Sequence, residues 1–374
     1  MVEVSVSQSS LKETLLLTAL NILAAAVVTA LVIMALGENP FDAFLYILNG
    51  TFGSWEGFGY TLYYATSFVF TGLAVAIAFH GGLFNIGGEG QALFGGVGLT
   101  FGIFLFGDSL PVLSFFGGLV GAMLFGALWA LVPAYMQAYR GSPTVITTIM
   151  FNYIAAGVLA YLLTGPLMRA DSAMPESEDF PHGVGMMSFT DFFAIVGIDL
   201  DLGSANLSFL FALIVAYGVW FMLWRTNLGY TIRVTGANKD AAHYAGFSVQ
   251  RITVIAMLLS GAVAGLMGVN ELMGEQSRLI NGFTLGAGFV GIAVAFMGRN
   301  HPIGIVLSAL LFGFLAQGGV ELAFEMDNVT QYLVVVIQGV VILFAGALEN
   351  LFKKPVKQFL ARPSAPSSRV VQNG

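Results

Sequence analysis

The stretch His80–Gly98, HGGLFNIGGEGQALFGGVG, decides how the rest of the chain is read. Eight of the eighteen residues from Gly81 to Gly98 are glycine, and a carboxylate, Glu89, sits near the centre. Long apolar segments flank it on both sides. Glycine lets backbones approach closely and turn out of a helix, and irregular backbone at membrane depth survives only where protein or a watery cavity satisfies it. A broken helix carrying an acid inside a membrane protein points toward a transport pathway. The plainer reading is a glycine-rich packing face with Glu89 among the headgroups.

Composition agrees with the membrane setting. Hydrophobic residues make up 57% of the 374-residue chain and charged residues 9%, whereas about 25% charged is usual for a soluble domain. Several runs approach or exceed the ~20 apolar residues that cross the hydrocarbon layer. The expected fold class is all-α, a polytopic membrane protein. Cysteine is absent, which excludes disulfides, thiolate metal sites and cysteine nucleophiles. The N-terminal apolar segment is too long for a cleaved signal peptide and lacks a small-residue cleavage site.

Hydropathy predicts about ten crossings, near Leu15–Leu36, Tyr60–Phe79, Gln91–Phe106, Val112–Met136, Val145–Thr164, Leu207–Trp224, Ile252–Glu271, Phe283–Gly298, Ile303–Val320 and Tyr332–Leu348. The third and eighth are short and glycine-rich, as re-entrant elements are. With a cytoplasmic N-terminus, twelve of the fourteen lysines and arginines fall inside and only Arg169 and Arg278 outside. This positive-inside bias predicts a multi-pass protein of the cell membrane with both ends in the cytoplasm. The formal net charge of −7 therefore says nothing about partners by itself; nothing in its pattern suggests nucleic acid. The expected organisation is a cytoplasmic N-terminus (1–14), a first transmembrane half (15–164), an external loop (165–206), a second half (207–350) containing a cytoplasmic loop (225–251), and a polar tail (351–374).

Five crossings per half would make the halves inverted repeats. Gly87–Gly98 would then correspond to Gly282–Gly298, and paired glycine-interrupted segments in matching positions point to a midplane pathway. Uncharged polar residues near membrane depth are the candidate pathway residues: Asn85, Glu89 and Gln91 on the broken element, Thr147, Thr148 and Asn152 together on one helix, and Asn270 and Gln317 in the second half. Hydroxyl-rich solutes need such donors and acceptors, although each residue singly also suits a helix–helix hydrogen bond. In the cytoplasmic loop, Asn238–Lys239–Asp240 is expected to cap a short helix beginning near Ala241, with Ala241, Ala242 and Ala245 as strong helix formers, and Gly246 to end it. A small-residue helix of this kind fits a groove on another protein; the default alternative is an interfacial loop without a partner.

Four stretches carry a family likeness: GLFNIGGEGQ (Gly82–Gln91), TVITTIMFNYIA (Thr144–Ala155), IRVTGANKDAAHYAGF (Ile232–Phe247) and GIAVAFMGRNHPIGI (Gly291–Ile305). In these the chain resembles the membrane permease subunits of bacterial and archaeal ATP-binding-cassette importers, in the branch that takes up nucleosides and simple sugars. Relatives commonly place Asn-Glu ahead of the Val-Ile of the second stretch, where this chain has Pro143-Thr144. The resemblance implies that Gly236–Gly246, with Gly236, Asn238, Tyr244 and the alanines, couples to an ATPase subunit. It also implies a second permease subunit in a heterodimer and an external substrate-binding lipoprotein, all embedded in or resting on membrane lipid. No cofactor is expected in this chain, and ATP and magnesium would be bound by the partner.

The motor must lie elsewhere, because no G-x-x-x-x-G-K-[ST] motif is present and GANKD at Gly236–Asp240 lacks the spacing that cradles phosphate. An ion-coupled secondary transporter is the alternative, with Glu89 and Glu271 as the candidate coupling acids. An intramembrane enzyme is disfavoured, since His80, His182, His243 and His301 lie in different segments and no pair has i, i+4 spacing.

Overall fold

The computed structural model describes residues 27–326, 328–330, 335, 336 and 339. Two compact units divide the chain: 44–325 form one, and the two terminal portions form the other. In the terminal unit, the Asn328 amide donates to Glu38 Oε1 at 2.9 Å. The larger unit contains every element discussed below apart from the first helix and the opening turn of the second.

Helices account for the described architecture. α1 is Val27–Ala35 and α2 is Pro40–Phe52. They are followed by α3 (Trp55–His80), α4 (Gly88–Phe106), α5 (Pro111–Arg140) and α6 (Thr144–Thr164). The external segment contributes only α7 (Phe189–Ile195). Beyond it come α8 (Ser208–Arg225), α9 (Asn227–Ala237), α10 (Lys239–Tyr244) and α11 (Val249–Gly265), with a π-helix at Val269–Gln276. α12 (Ala287–Met297) and α13 (Pro302–Glu325) complete the unit.

Among the described residues, seven helices are long and apolar enough to cross a membrane, or eight if α1 and α2 count as one broken span. They match seven of the ten expected crossings, with α11 and the π-helix forming one span, Val249–Gln276. The expected crossing at Phe283–Gly298 holds only the eleven-residue α12, too short for a full span. Glycines at 282, 286 and 288 and positive φ at Leu285 and Gly286 delay the helix start and shorten it. Most of the crossing at Leu15–Leu36 and nearly all of that at Tyr332–Leu348 lie outside the described residues. The helix α2 falls where an external loop was expected, between the first two crossings.

α3 is the central element. Ser54 caps it, accepting from Gly57 N–H at 3.0 Å, and its 26 residues are almost wholly buried from Gly57 onward, packed on α8, α11, α12 and α13. α5, α6 and α8 bury less than a third of their apolar windows, so their outer faces are available to lipid or to another subunit. Small residues set the closest contacts among α4, α5 and α11. A Cβ on Gly265 would come within 2.2 Å of Ala122 O, and one on Gly126 within 2.3 Å of Gly261 O. In a membrane, where apolar transfer no longer drives association, such backbone proximity provides the dispersion contacts that hold helices together.

Candidate functional site

The glycine-rich stretch forms a turn and a second helix start. α3 ends at His80, Gly82 takes φ +71°, and the chain doubles back through Leu83–Gly87 before α4 begins at Gly88. Buried side chains satisfy this irregular backbone. Asn85 Oδ1 accepts from Gly87 N–H at 2.9 Å, and its Nδ2 donates to Gln91 Oε1 and to Ser260 Oγ, each at 2.9 Å. Ser260 donates onward to Ala74 O at 2.6 Å. From α6, Asn152 Oδ1 accepts from Gly90 N–H and its Nδ2 donates to Ile86 O, both at 2.9 Å, while Thr148 Oγ1 accepts from Ile86 N–H at 3.3 Å. Thr147 bonds back to Thr144 O in its own helix at 3.0 Å.

Glu89 has the most consequential position. Its carboxylate accepts from the Thr284 hydroxyl at 2.5 Å, from Gly288 N–H at 2.8 Å and from Gly286 N–H at 3.2 Å. These donors belong to the start of α12, so the first turns of α4 and α12 meet around one acid. The approach is close: a Cβ on Gly288 would lie 2.2 Å from Glu89 N. Two helix N-termini carry partial positive charge, and the carboxylate offsets both. Asn152, which touches the same turn, lies eight residues into the 21-residue α6, about 12 Å along it. The junction thus sits near mid-span. α12 runs from it for about 16 Å, half a hydrocarbon layer. A cavity of about 430 Å³ opens beside Glu89, with Asn152 and Thr284 also in its lining.

The other two predicted pathway residues hold helices together. Asn270 Nδ2 donates to Tyr63 O at 3.0 Å and to Ser67 Oγ at 2.9 Å, and its Oδ1 accepts from Asn206 at 3.2 Å. Gln317 Nε2 donates to Gly50 O at 3.3 Å. Beside Asn270, Glu271 is buried in the π-helix rather than at a helix edge; the Tyr63 hydroxyl and Ser67 Oγ (2.6 Å) both donate to it. A π-turn often marks a functional position, but no sequence periodicity announces one.

On one side of the membrane the segment 225–251 is more ordered than a loop. Thr226 caps α9 through Gly229 N–H at 3.1 Å, Asn238 caps α10 through Ala241 N–H at 3.0 Å, and Gly246 follows at φ +85°. α10 starts at Lys239, two residues before the expected start. Ala241, Tyr244 and Ala245 are exposed, Tyr244 at 91%, while Ala242 is fully buried. Gly236, at the end of α9, lies directly against the turn after α3: a Cβ there would come within 2.1 Å of His80 O and 2.6 Å of Gly82 N.

On the opposite side, the segment between α6 and α8 is strapped to the end of the π-helix. Phe180 N–H donates to Ser277 O at 2.7 Å and Ser177 N–H to Leu279 O at 2.9 Å. Arg169 pairs with Asp171 at 2.7 Å and Asp179 at 2.8 Å, and Arg278 pairs with Asp179 at 3.1 Å and Glu176 at 3.3 Å. The Arg169 hydrogen bond holds the Asp171 carboxyl below its usual range, and the bonds to Asp171 and then to Asp179 raise the Arg169 guanidinium.

Residues 57–346 match the family described as the permease component of branched-chain amino acid transport systems. The chain belongs to that family. A glucose ABC transporter permease of Haloferax volcanii is 32% identical to this permease over 87% of the chain and 85% of its own length. A guanosine ABC transporter permease of Bacillus subtilis is 32% identical over 85% and 89%, respectively. The ribose import permease of Escherichia coli is 29% identical over 68% and 80%. No solved structure matches the chain. The permease is thus a multi-pass transport subunit of the ABC class, as the four stretches implied. Tyr153, Thr284 and Phe289, which line the cavity at Glu89, escaped the sequence reading because aromatic and hydroxyl side chains in apolar segments are usually structural, and Asn281 because it falls between the expected crossings.

Proposed function

We propose that the permease forms the translocation pathway of an ATP-driven importer for nucleosides or simple sugars. A separate ATPase would grip the exposed face of α10, an external lipoprotein would deliver solute, and a sister permease would complete the pathway as a heterodimer. In this reading the chain passes the membrane ten times in two inverted halves with both ends cytoplasmic, the eighth passage being made by residues 277–286 together with the short α12. The head-to-head starts of α4 and α12 around Glu89 support that symmetry, since they fall in the two glycine-rich segments that such a repeat would pair. Of the eight expected pathway residues, Glu89 and Asn152 line the open cavity. Asn85, Gln91, Thr147, Thr148, Asn270 and Gln317 would support the pathway walls through their internal bonds.

The observation that carries the proposal is the capped α10, with Tyr244 at 91% exposure, joined through Gly236 to the turn that leads to Glu89. An exposed aromatic on a rigid short helix is a typical anchor for a protein groove, worth about 2 kcal/mol or more. Tyr244→Glu is expected to weaken co-purification of the ATPase at least ~30-fold and to stop uptake while membrane levels stay normal. Uptake of labelled guanosine, glucose and ribose by cells carrying the full gene set would identify the solute. Normal uptake by the variant would sink the proposed coupling. Ala242 is unsuitable for this test, since a charge at a fully buried position would disturb the loop itself.

A further inference from the structure

We infer that the cavity beside Glu89 is a solute-contact station built for a riboside, with an aromatic wall from Tyr153 and Phe289 facing the flat ring and Glu89 and Asn281 taking the sugar hydroxyls. This assignment rests on the pathway reading above and narrows it.

Size and lining come first. At about 430 Å³ the cavity falls within the usual range for small-molecule sites. Its walls are mostly apolar, with a few polar groups that converge on one part of the lining, as such sites require. Tyr153 lies nine residues into the 21-residue α6 and is 77% exposed. Tyrosines facing lipid collect at the two interfaces, where the hydroxyl stays wet. A mid-span tyrosine sharing a cavity with a carboxylate and an amide is costly against hydrocarbon. This face therefore turns toward a solvated passage.

The polar groups retain bonding capacity. Glu89 already accepts three hydrogen bonds, and a carboxylate offers about four acceptor positions. Asn152 uses its oxygen and one amide hydrogen on backbone, leaving one hydrogen. Asn281 lines the cavity without engaging any described residue. A ribose diol matches this short supply of partners. A hexose, with hydroxyls around its whole ring, would leave several unpaired against Ile86, Leu93, Ile149 and Leu285, and each unpaired group is expensive. A phosphorylated solute would fare worse, because no lysine or arginine lines the cavity to offset repulsion by Glu89.

The test uses the assembled transporter in membrane vesicles, with its partner permease, ATPase and binding protein. Irradiation with an azido-adenosine photoprobe is expected to label peptides containing Tyr153 or Phe289, with protection by excess adenosine and none by glucose. Tyr153→Ala and Phe289→Ala are each expected to raise the KM for adenosine about 5- to 150-fold, the range for losing one base–aromatic stack, while Tyr153→Phe stays near the unaltered value. Labelling confined to other segments, or unchanged adenosine KM in both alanine variants, would overturn the station. ATP-driven uptake of glucose but not adenosine would overturn the riboside assignment and leave the importer reading standing. Absence of ATP-dependent uptake of any of these solutes, with all subunits present, would overturn the importer reading itself. Because the photolabelling uses unaltered protein, failure of a variant to insert does not remove the test.

Discussion

Glu89 takes three donors from the start of α12, two of them backbone N–H groups that make no other backbone hydrogen bond among the described residues. Glu89→Ala strands these donors in a nonaqueous setting, at about 1–3 kcal/mol for each unsatisfied group. The expected result is a clear fall in the detergent melting temperature of the purified permease, with Glu89→Gln intermediate because its amide oxygen still accepts. Equal melting temperatures for all three proteins would refute the capping role. Asp171 makes a different prediction, one of pH. Its carboxyl is held below the usual range by Arg169, so the clip is intact above the ordinary carboxylate pKa of about 3.9 and is lost as pH falls through the depressed value. Hydrogen-exchange protection of amides Ser177 and Phe180, corrected for intrinsic rates, should be level from neutral pH to about 5 and collapse only in stronger acid. Loss of protection near neutrality would show that another group governs the strap.

At the scale of elements, close backbone contact decides which glycines matter. Gly265→Val would drive side-chain atoms into Ala122 O, only 2.2 Å from where its Cβ would stand, whereas Gly218 on α8 has nothing within 4 Å. The first is expected to abolish a monodisperse peak in fluorescence-detected gel filtration, since overpacking costs about 1–3 kcal/mol or more; Gly218→Val is expected to elute like the parent. The spans themselves were readable, because an apolar run of the right length has few alternatives to a membrane helix. The capping group Asn238–Asp240 and the stop at Gly246 were readable for a related reason, as capping chemistry is local, although only the structure assigns the cap to Asn238. α2 was not, because Asp42 and the flanking Glu38 and Glu56 make PFDAFLYILNGTF look like an amphipathic loop. The π-helix was hidden because its one-residue surplus leaves hydrophobicity unchanged. Glu89 was recognisable as important from its glycine setting, but its partners at Thr284–Gly288 lie 195 to 199 residues away and only the fold brings them together.

For the molecule as a whole, the absence of cysteine makes sidedness directly measurable. In single-cysteine variants, Tyr244→Cys should react with a membrane-impermeant maleimide only from the cytoplasmic side and Asp199→Cys only from outside. The reverse pattern would invert the proposed orientation. A second consequence follows from Gly236 lying on the His80–Gly82 turn with no side chain between them. From Gly82 only seven residues of chain lead to Glu89, whose backbone lies directly against Gly288 of α12. Levers jointed through long side chains lose stroke to rotamer hopping; one jointed main chain to main chain has little slack. A movement of α10 of even an ångström would therefore arrive at mid-span almost undiminished. Gly236→Ala should act like a loosened gear: the assembled transporter would keep hydrolysing ATP while the number of solutes carried per ATP falls, and an unchanged ratio would mean that the stroke travels by another route.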